Sequence, residues 1–367
     1  MSTLAENPSH SVSRAVVLKG RGTTRLETLA RPHPGPGEIL LELRCCGLCG
    51  TDLFKIDQVA PVVDTVLGHE VVGTVTQLGK GVESFSIGDR VVTPHHVSCG
   101  HCHLCRSGSP TLCEVFRQDL LEPGGFSEFF VVRSRAVDQA ARRIPDSLSD
   151  EVALFLEPAA CVLRGIDRAG LPDPQLSADL EQIALILGAG SMGLLHLLVL
   201  RSLYPHLQIV ISDPLPRRRE TAIEMGATAA AAPDAIGSIV FEHSRGSGAD
   251  CVFDTVGRPD VLRQAIGTTR EGATLVLFAH AKPEEELIVE LNTLFKSERR
   301  LVGTYSGGLE EQARVWDLLV QGQLDPSPLI THTLPLSRFS EGVDLARGHQ
   351  ALKVVFIPAG ETSSASA

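Results

Sequence analysis

Four cysteines in the stretch CGHCHLCRSGSPTLC have the residue type and the spacing that a metal site or a redox site requires. Cys99, Cys102, Cys105 and Cys113 could form disulfides, hold an iron–sulfur cluster or bind zinc. The N-terminus has no basic segment followed by an apolar one, so we expect a cytoplasmic protein with reduced thiols. A bacterial ferredoxin run usually places its fourth cysteine after about three residues, whereas seven separate the last two here. The spacing therefore predicts a structural zinc site, with a cluster or unligated thiols as the alternatives.

A glycine-rich turn, GAGSMG, predicts a site for a dinucleotide. Gly188, Gly190 and Gly193 form G-x-G-x-x-G between a predicted strand and a predicted helix, and Asp213 follows 20 residues after the last glycine. Glycines allow the backbone to approach a pyrophosphate, the helix N-terminus offers free N–H groups, and a carboxylate accepts hydrogen bonds from the ribose hydroxyls. The candidate cofactor-binding residues are Gly188, Gly190, Ser191, Met192, Gly193, Asp213 and Arg218.

The identity of the dinucleotide depends on the residues at the end of the second predicted strand. Asp213 would repel a 2′-phosphate, which favours NAD over NADP. Arg217, Arg218 and Arg219 follow closely, and an arginine at this place can hold that phosphate or stack on the adenine. We predict NAD and keep NADP as the alternative.

A second zinc site is indicated by CCGLCGTD and GHE, which supply Cys49 and His69. A thiolate, an imidazole and one carboxylate would hold zinc with a fourth position open, as catalytic zinc requires. Each residue is weak evidence alone, since a lone histidine is more often a packed core residue. Cys45 and Cys46 are expected to be packing thiols of a strand.

The elements that carry these residues fall into two types. Residues 14–140 contain short apolar strands separated by glycine, proline and aspartate, which is typical of a β-barrel or sandwich. A helix is expected after Ser149, its candidate N-cap. From Ile183 to Gly303, apolar strands alternate with helices, which predicts a parallel sheet with helices on both faces. The remainder of the chain, including residues 310–322 and 354–358, is expected to return to the first domain.

Bulk properties limit the possible functions. The chain has 367 residues, enough for about two domains. Its net charge of −11 disfavours binding to nucleic acid, which needs clustered Lys and Arg. Residues 183–200 carry no formal charge, but their order of strand, turn and helix favours a soluble protein over a membrane span.

Taken in order, GLCGTD, GHEVVG, the four-cysteine lobe, GGFSEF, LEPAA and GAGSMG resemble the zinc-dependent medium-chain alcohol dehydrogenases over nearly the whole chain. The resemblance is greatest to the sorbitol, threonine and secondary-alcohol branch. It implies an α/β plus β fold with a GroES-like β-barrel catalytic domain over residues 1–160 and 306–367, including a disordered tail from about residue 360. It also implies a Rossmann doubly wound parallel-sheet domain over residues 161–305, with the active site in the cleft between the domains.

The resemblance also assigns roles to individual residues. Cys49 and His69 match the catalytic zinc ligands of the family, and Glu70 or Glu157 matches the third. Thr51 matches the hydroxyl residue that hydrogen-bonds the reacting oxygen. Cys161 lies near a ligand position of the liver-type branch, but LEPAA resembles the carboxylate branch, so we interpret this cysteine as a helix-packing residue.

The sequence departs from the family pattern where a proton-relay histidine is common. Phe54 occupies that position, five residues after Cys49. His95 and His96 are candidates to replace the relay, although loop residues leading into the zinc lobe are at least as good an interpretation.

The resemblance thus implies an oxidoreductase with two zinc ions per chain that transfers a hydride between a secondary alcohol or polyol-like substrate and NAD. The alternatives are an NADP-linked zinc carbonyl reductase and a non-catalytic zinc and dinucleotide-binding protein. The expected partners are a small alcohol or carbonyl substrate and further copies of the chain in a homodimer or homotetramer, with neither nucleic acid nor membrane.

Overall fold

The computed structural model describes residues 11–173, 181–282 and 284–358. These residues form two compact units. The first contains the residues up to Glu157, Gly308–Val320 and those from Ser327 onward, and the second contains Pro158–Gly307 and Gln321–Pro326. The expected disordered tail from about residue 360 lies outside the described residues.

The first unit begins with short strands and few helices. Its strands before the second unit are β1 Val12–Gly20, β2 Thr23–Ala30, β3 Ile39–Gly47, β4 Thr65–Val66, β5 Glu70–Leu78, β6 Arg90–Thr93, β7 Leu121–Glu122, β8 Phe129–Val132 and β9 Arg142–Arg143. Its helices there are α1 Gly50–Asp57, α2 His103–Arg106, α3 Ser134–Gln139 and α4 Asp150–Ala153. The Ser149 side chain accepts a 3.2 Å hydrogen bond from Val152 N, which confirms the predicted N-cap.

The second unit alternates strands and helices. Its elements are α5 Leu156–Ala169, which crosses the boundary, then β10 Ile183–Leu187, α6 Ser191–Leu203, β11 Gln208–Ser212, α7 Pro216–Glu224, β12 Ala229–Ala231, α8 Ile236–His243, β13 Ala249–Asp254, α9 Pro259–Ile266, β14 Thr269–Leu277, α10 Leu291–Phe295 and β15 Arg300–Gly303. The sheet has the order β12-β11-β10-β13-β14-β15, and all its pairs are parallel. This arrangement confirms the predicted doubly wound parallel sheet.

The chain then returns to the first unit. The returning elements are α11 Leu309–Val320, β16 Ile330–Pro335, α12 Phe339–Arg347 and β17 Lys353–Ile357. β17 pairs antiparallel with β3, where Val355 lies opposite Gly47 and Phe356 opposite Cys46. The sheet therefore continues in the order β16-β17-β3-β5-β6-β9, and β8 also pairs with β3.

Aromatic side chains close the core of the first unit. Phe126, Phe339 and Phe356 pack with ring centroids 4.7 to 5.6 Å apart. Phe126 and Phe356 are completely buried, so residues far apart in the chain share one core. This packing holds β17 against β3, the strand that leads into the candidate zinc ligands.

Candidate active site and metal centres

Cys49 is positioned by the turn from β3 into α1. It is the N-cap residue of that helix, and its backbone N–H donates a 3.0 Å hydrogen bond to Oδ2 of Asp52. Asp52 is therefore the acid that closes the first turn of the helix. The cap fixes where the Cys49 thiol leaves the backbone, and Thr51 lies in the same turn, half-buried.

The same Asp52 carboxylate orients His69. Its Oδ1 lies 3.3 Å from His69 Nδ1 and accepts a 3.2 Å hydrogen bond from Gly68 N. Asp52 is completely buried. Burial alone would raise the pKa of this carboxyl, but His69 and the N–H groups of Cys49 and Gly68 keep it below its usual value. His69 therefore donates from Nδ1 to Asp52 and keeps Nε2 available as a ligand.

Cys49, His69 and Glu70 form a compact group of ligand atoms. One atom from each, including the Cys49 Sγ, lies within 4.8 Å of the other two. A thiolate, an imidazole and a carboxylate at this separation are a donor set that suits zinc. Glu157, the other carboxylate predicted from the sequence, lies in the first turn of α5 and is not one of the three members of this group.

Glu70 has a partner that sequence reasoning did not find. Lys353 Nζ, at the start of β17, donates to Glu70 Oε1 at 2.8 Å and to Oε2 at 2.6 Å. Burial lowers the pKa of Lys353, but Glu70, Cys49 and Glu157 raise it above its usual value. A side chain at Gly47 would collide with Glu70 Oε2, so the glycine leaves room for this ion pair.

Three histidine rings lie in contact along one side of this site. The ring centroids of His69 and His95 are 4.6 Å apart, and those of His95 and His96 are 3.6 Å apart. His96 also packs on Phe116, at 5.2 Å. Burial lowers the pKa of His95 well below its usual value and that of His96 to about 3, so both rings are neutral. Their role as a proton relay stays a prediction.

The Asp52 contact leads to a prediction. We expect Asp52→Asn to weaken zinc binding or catalytic turnover by about 10- to 100-fold, because an amide supports the His69 ring less well than a carboxylate. Metal analysis after dialysis against a graded chelator and kcat/KM measure the two effects. Asp119→Asn is the matched control, since Asp119 Oδ1 accepts a hydrogen bond from Leu121 N, whereas Asp52 Oδ1 lies against His69 Nδ1. Equal zinc retention and turnover in the Asp52 variant and the wild type would contradict the assigned role.

The four-cysteine lobe has the geometry of a tetrahedral thiolate site. The Cys105 Sγ lies 3.9 Å from the Cys99 Sγ and 3.5 Å from the Cys102 Sγ. Zinc–sulfur bonds of about 2.3 Å arranged tetrahedrally place sulfurs about 3.8 Å apart. All four ligand atoms, including the Cys113 Sγ, lie within 4.8 Å of one another. The predicted residues therefore meet in one cluster that fits zinc.

Backbone N–H groups point at two of these sulfurs. Cys102 N lies 3.4 Å from the Cys99 Sγ, and Cys99 N lies 3.5 Å from the Cys113 Sγ. Hydrogen bonds from the backbone lower the pKa of the Cys99 thiol to about 6. N–H donors stabilise the thiolate form of cysteine, and the thiolate is the form that binds metal.

The glycine turn joins β10 to α6 in the second unit. Gly188 has a φ of +93°, and a side chain on Gly193 would collide with the Gly188 carbonyl oxygen. Gly190 is the N-cap of α6. The Ser191 hydroxyl oxygen is buried and has no hydrogen-bond partner among the described residues. Tight glycines and an unpaired hydroxyl at a helix N-terminus fit a bound pyrophosphate.

Asp213 lies at the end of β11, beside this turn. Its Oδ2 accepts a 2.8 Å hydrogen bond from Ala189 N, and its Oδ1 accepts one of 2.8 Å from Leu215 N. The Arg218 guanidinium lies 3.9 Å from Asp213 Oδ2. The structure thus brings Asp213 and Arg218 to the glycine turn together.

The apolar stretch at residues 183–200 is divided between β10 and α6, as predicted. Within the described ranges, none of the helices has both the length and the apolar character that a membrane span needs.

Comparisons with known proteins match both units. Residues 35–142 match the alcohol dehydrogenase GroES-like domain, and residues 192–321 match the zinc-binding dehydrogenase family. The L-threonine 3-dehydrogenase of Pectobacterium atrosepticum is 30% identical over 333 residues, which cover 88% of each chain.

Two solved structures have the same fold with different cofactors. A Sinorhizobium meliloti protein described as a zinc-binding dehydrogenase and bound to NADP has a TM-score of 0.82 and 27% identity, covering 95% of this chain and 100% of its own. An alcohol dehydrogenase of Escherichia coli CFT073 complexed with NADH has a TM-score of 0.81 and 26% identity, covering 95% and 99%. These similarities support a dinucleotide without distinguishing NAD from NADP.

Proposed function

This chain belongs to the zinc-dependent medium-chain alcohol dehydrogenase family, and we propose that it transfers a hydride between a secondary alcohol or polyol-like substrate and NAD. The observation that carries the proposal is the Cys49, His69 and Glu70 group, with its imidazole oriented by a buried carboxylate. A packing role would need neither this donor set nor the Asp52 contact.

We propose that Cys49 and His69 hold the catalytic zinc, with Glu157 or Glu70 as the third protein ligand. Lys353 already donates to both oxygens of Glu70, so the ammonium balances this carboxylate beside Cys49. When bound, zinc supplies a Lewis acid that makes a substrate hydroxyl more acidic.

The other contribution of the protein is to position the substrate and the nicotinamide. Thr51, two residues after Cys49, is proposed to orient the reacting hydroxyl through a hydrogen bond. The nicotinamide supplies the hydride acceptor, and the protein fixes its distance from the carbinol carbon. Phe54 leaves Thr51 without the relay histidine that is common in the family.

The preference for NAD rests on Asp213. Its carboxylate has used one lone pair on each oxygen for backbone N–H groups, and the remaining lone pairs can accept ribose hydroxyls. A 2′-phosphate at the same place would meet a buried negative charge. The alternative of an NADP-linked carbonyl reductase is supported by Arg218, which lies beside Asp213.

A substitution at Asp213 tests this preference. We expect Asp213→Ala to weaken NAD binding by about 10- to 100-fold, because charge-assisted hydrogen bonds to the ribose are lost. Titration calorimetry with NAD and NADP measures both affinities, and Arg218→Ala is the companion variant, expected to lower NAD affinity less than Asp213→Ala does. Unchanged NAD affinity in the Asp213 variant, or a large loss of NADP affinity in the Arg218 variant, would favour the NADP alternative.

The activity itself is tested by following reduced nicotinamide formation by the zinc-loaded protein. NAD and NADP are each supplied with primary alcohols, secondary alcohols, polyols and L-threonine. L-Threonine is included because one relative is an L-threonine 3-dehydrogenase. Turnover of secondary alcohols or polyols with NAD is the expected result. Tight NAD binding without any turnover would favour the non-catalytic alternative.

A further inference from the structure

A groove beside the four-cysteine lobe contains a cation that the spacing of the cysteines does not reveal. The groove has a volume of about 600 Å³, and Cys99, Cys102 and Cys113 line one part of it. Arg135 and Gln139 of α3, which lies outside the lobe, line another part. Among the described residues that line this groove, Arg135 is the one arginine or lysine. A positive charge from a separate element therefore shares a groove with three of the four sulfur ligands.

Arg135 also holds the chain just after Cys113. Its Nη2 donates to the Val115 carbonyl oxygen at 2.9 Å and to Gln118 Oε1 at 3.2 Å. Cys113 is the cysteine that lies farthest in sequence from the other three, so its position depends on how this segment is held. Ala136, next to Arg135, is completely buried in the core of the first unit. The arginine thus ties the turn after Cys113 to a helix whose own position is fixed by packing.

Hydrogen bonding of this turn does not by itself account for an arginine. The Nε of Arg135 is enclosed and has no hydrogen-bond partner among the described residues. An unpaired enclosed N–H destabilises the folded protein, and a neutral side chain could hold the turn without it. The presence of a guanidinium therefore points to a role for its charge.

The charge that Arg135 faces is negative. A zinc ion with four thiolate ligands carries two net negative charges. Glu114 lines the same groove and adds a further carboxylate. Opposite charges attract more strongly where the protein partly excludes water than in bulk solvent. The half-buried Arg135 can therefore stabilise the zinc-loaded lobe, whereas the exposed Arg106 and Arg117 are screened more strongly by water and salt.

We propose that Arg135 is a positioning residue of the structural zinc site, which holds the turn after Cys113 and offsets the negative charge of the zinc–thiolate cluster. The inference rests on the structural zinc predicted for the four-cysteine lobe and is independent of the dehydrogenase activity. Its consequence is slower loss of zinc from the lobe.

The test measures the rate at which an excess of chromogenic chelator removes zinc. All variants carry Cys49→Ala, so that the zinc measured is that of the lobe. We expect Arg135→Gln to release zinc about 10- to 100-fold faster, because the charge is lost, and Arg135→Lys to stay within about threefold of the parent, because the charge is kept. Arg133→Gln is the matched control. Arg133 adjoins the same helix but pairs with Glu38 and Glu122, so its loss should change the rate less than about threefold.

The dependence on salt separates a charge from a packing contact. Raising the salt concentration from about 0.05 M to about 0.5 M should speed zinc release from the parent several-fold, because screening weakens the attraction between Arg135 and the cluster. The same change should affect Arg135→Gln much less. A purely structural arginine would give both proteins the same salt dependence.

Three outcomes would overturn the inference: release from Arg135→Gln at the parent rate, an equal acceleration in Arg133→Gln, or equal salt dependence with and without the arginine. If Arg135→Gln does not fold, Arg135→Lys and the salt series of the parent still decide, since salt-independent release from the parent contradicts the charge role. A parent lobe without zinc would overturn the structural zinc site as well. Zinc that is present and released alike from every variant would overturn the role of Arg135 alone.

Discussion

Replacing Cys49 with alanine is expected to reduce kcat/KM for alcohol oxidation by at least about 1,000-fold. A Lewis acid at the reacting oxygen contributes several kcal/mol to the transition state, and about 4 kcal/mol corresponds to this factor. With the thiolate gone, His69 and the nearby carboxylates are left as an incomplete ligand set. The zinc content should fall by about one ion per chain while NAD affinity, measured by calorimetry, stays near the wild-type value.

The matched control is Cys161→Ala. Cys161 lies in α5, four residues after Glu157, and is not part of the ligand group among the described residues. We expect this variant to keep its zinc and most of its turnover. If the Cys161 variant loses zinc and the Cys49 variant keeps it, the catalytic ligand is Cys161, at the position used by the liver-type branch, and the assignment of Cys49 is wrong.

Replacing Cys102 with serine is expected to remove zinc from the four-cysteine lobe. The lobe has little regular structure, with a four-residue helix at His103–Arg106 and 3-10 turns at Pro110–Leu112 and Glu114–Arg117. Metal–thiolate bonds are then a large part of what orders it, since structural zinc contributes about 10 kcal/mol or more in small zinc-binding peptides. We expect the zinc content to fall from two ions to about one and proteolysis near residues 99–113 to become at least about tenfold faster.

The control for the lobe is His103→Ala, an exposed residue between two of the cysteines. Because its imidazole is not part of the thiolate cluster, zinc content and protease resistance should match the wild type. A Cys102→Ser protein that still holds two zinc ions would contradict a structural metal bound by four thiolates.

Local motifs explain why much of the site was predictable from the sequence. The four cysteines lie within one short stretch, and the three glycines lie in one turn, so each set needs only local geometry to meet. Asp52 was missed although it follows Cys49 by three residues, because its role depends on the position of His69. Lys353 had no such signal, since it is 283 residues from Glu70 and reaches it only through the pairing of β17 with β3.

Whether a strand could be predicted from the sequence depended on how far its side chains are buried. The apolar strands β1, β3, β5, β6 and β8 were visible because their side chains fill the core. β2 was not predicted, since most of its side chains are partly or fully exposed and its sequence, TTRLETLA, is largely polar. β12 was also missed, because three alanines carry neither a strand nor a helix pattern. Pairing with a neighbouring strand, rather than intrinsic preference, determines both elements.

The Lys353–Glu70 pair also has a consequence for the order of events during protein synthesis. At about 5 to 20 residues per second, a ribosome needs roughly 15 to 60 s to travel the 283 residues from Glu70 to Lys353. During that interval the growing chain contains Cys49, His69 and Glu70 without the ammonium that neutralises the carboxylate. The nascent first unit therefore cannot bury Glu70 at low cost until β17 has left the exit tunnel, by which time the whole nucleotide-binding sheet has been synthesised.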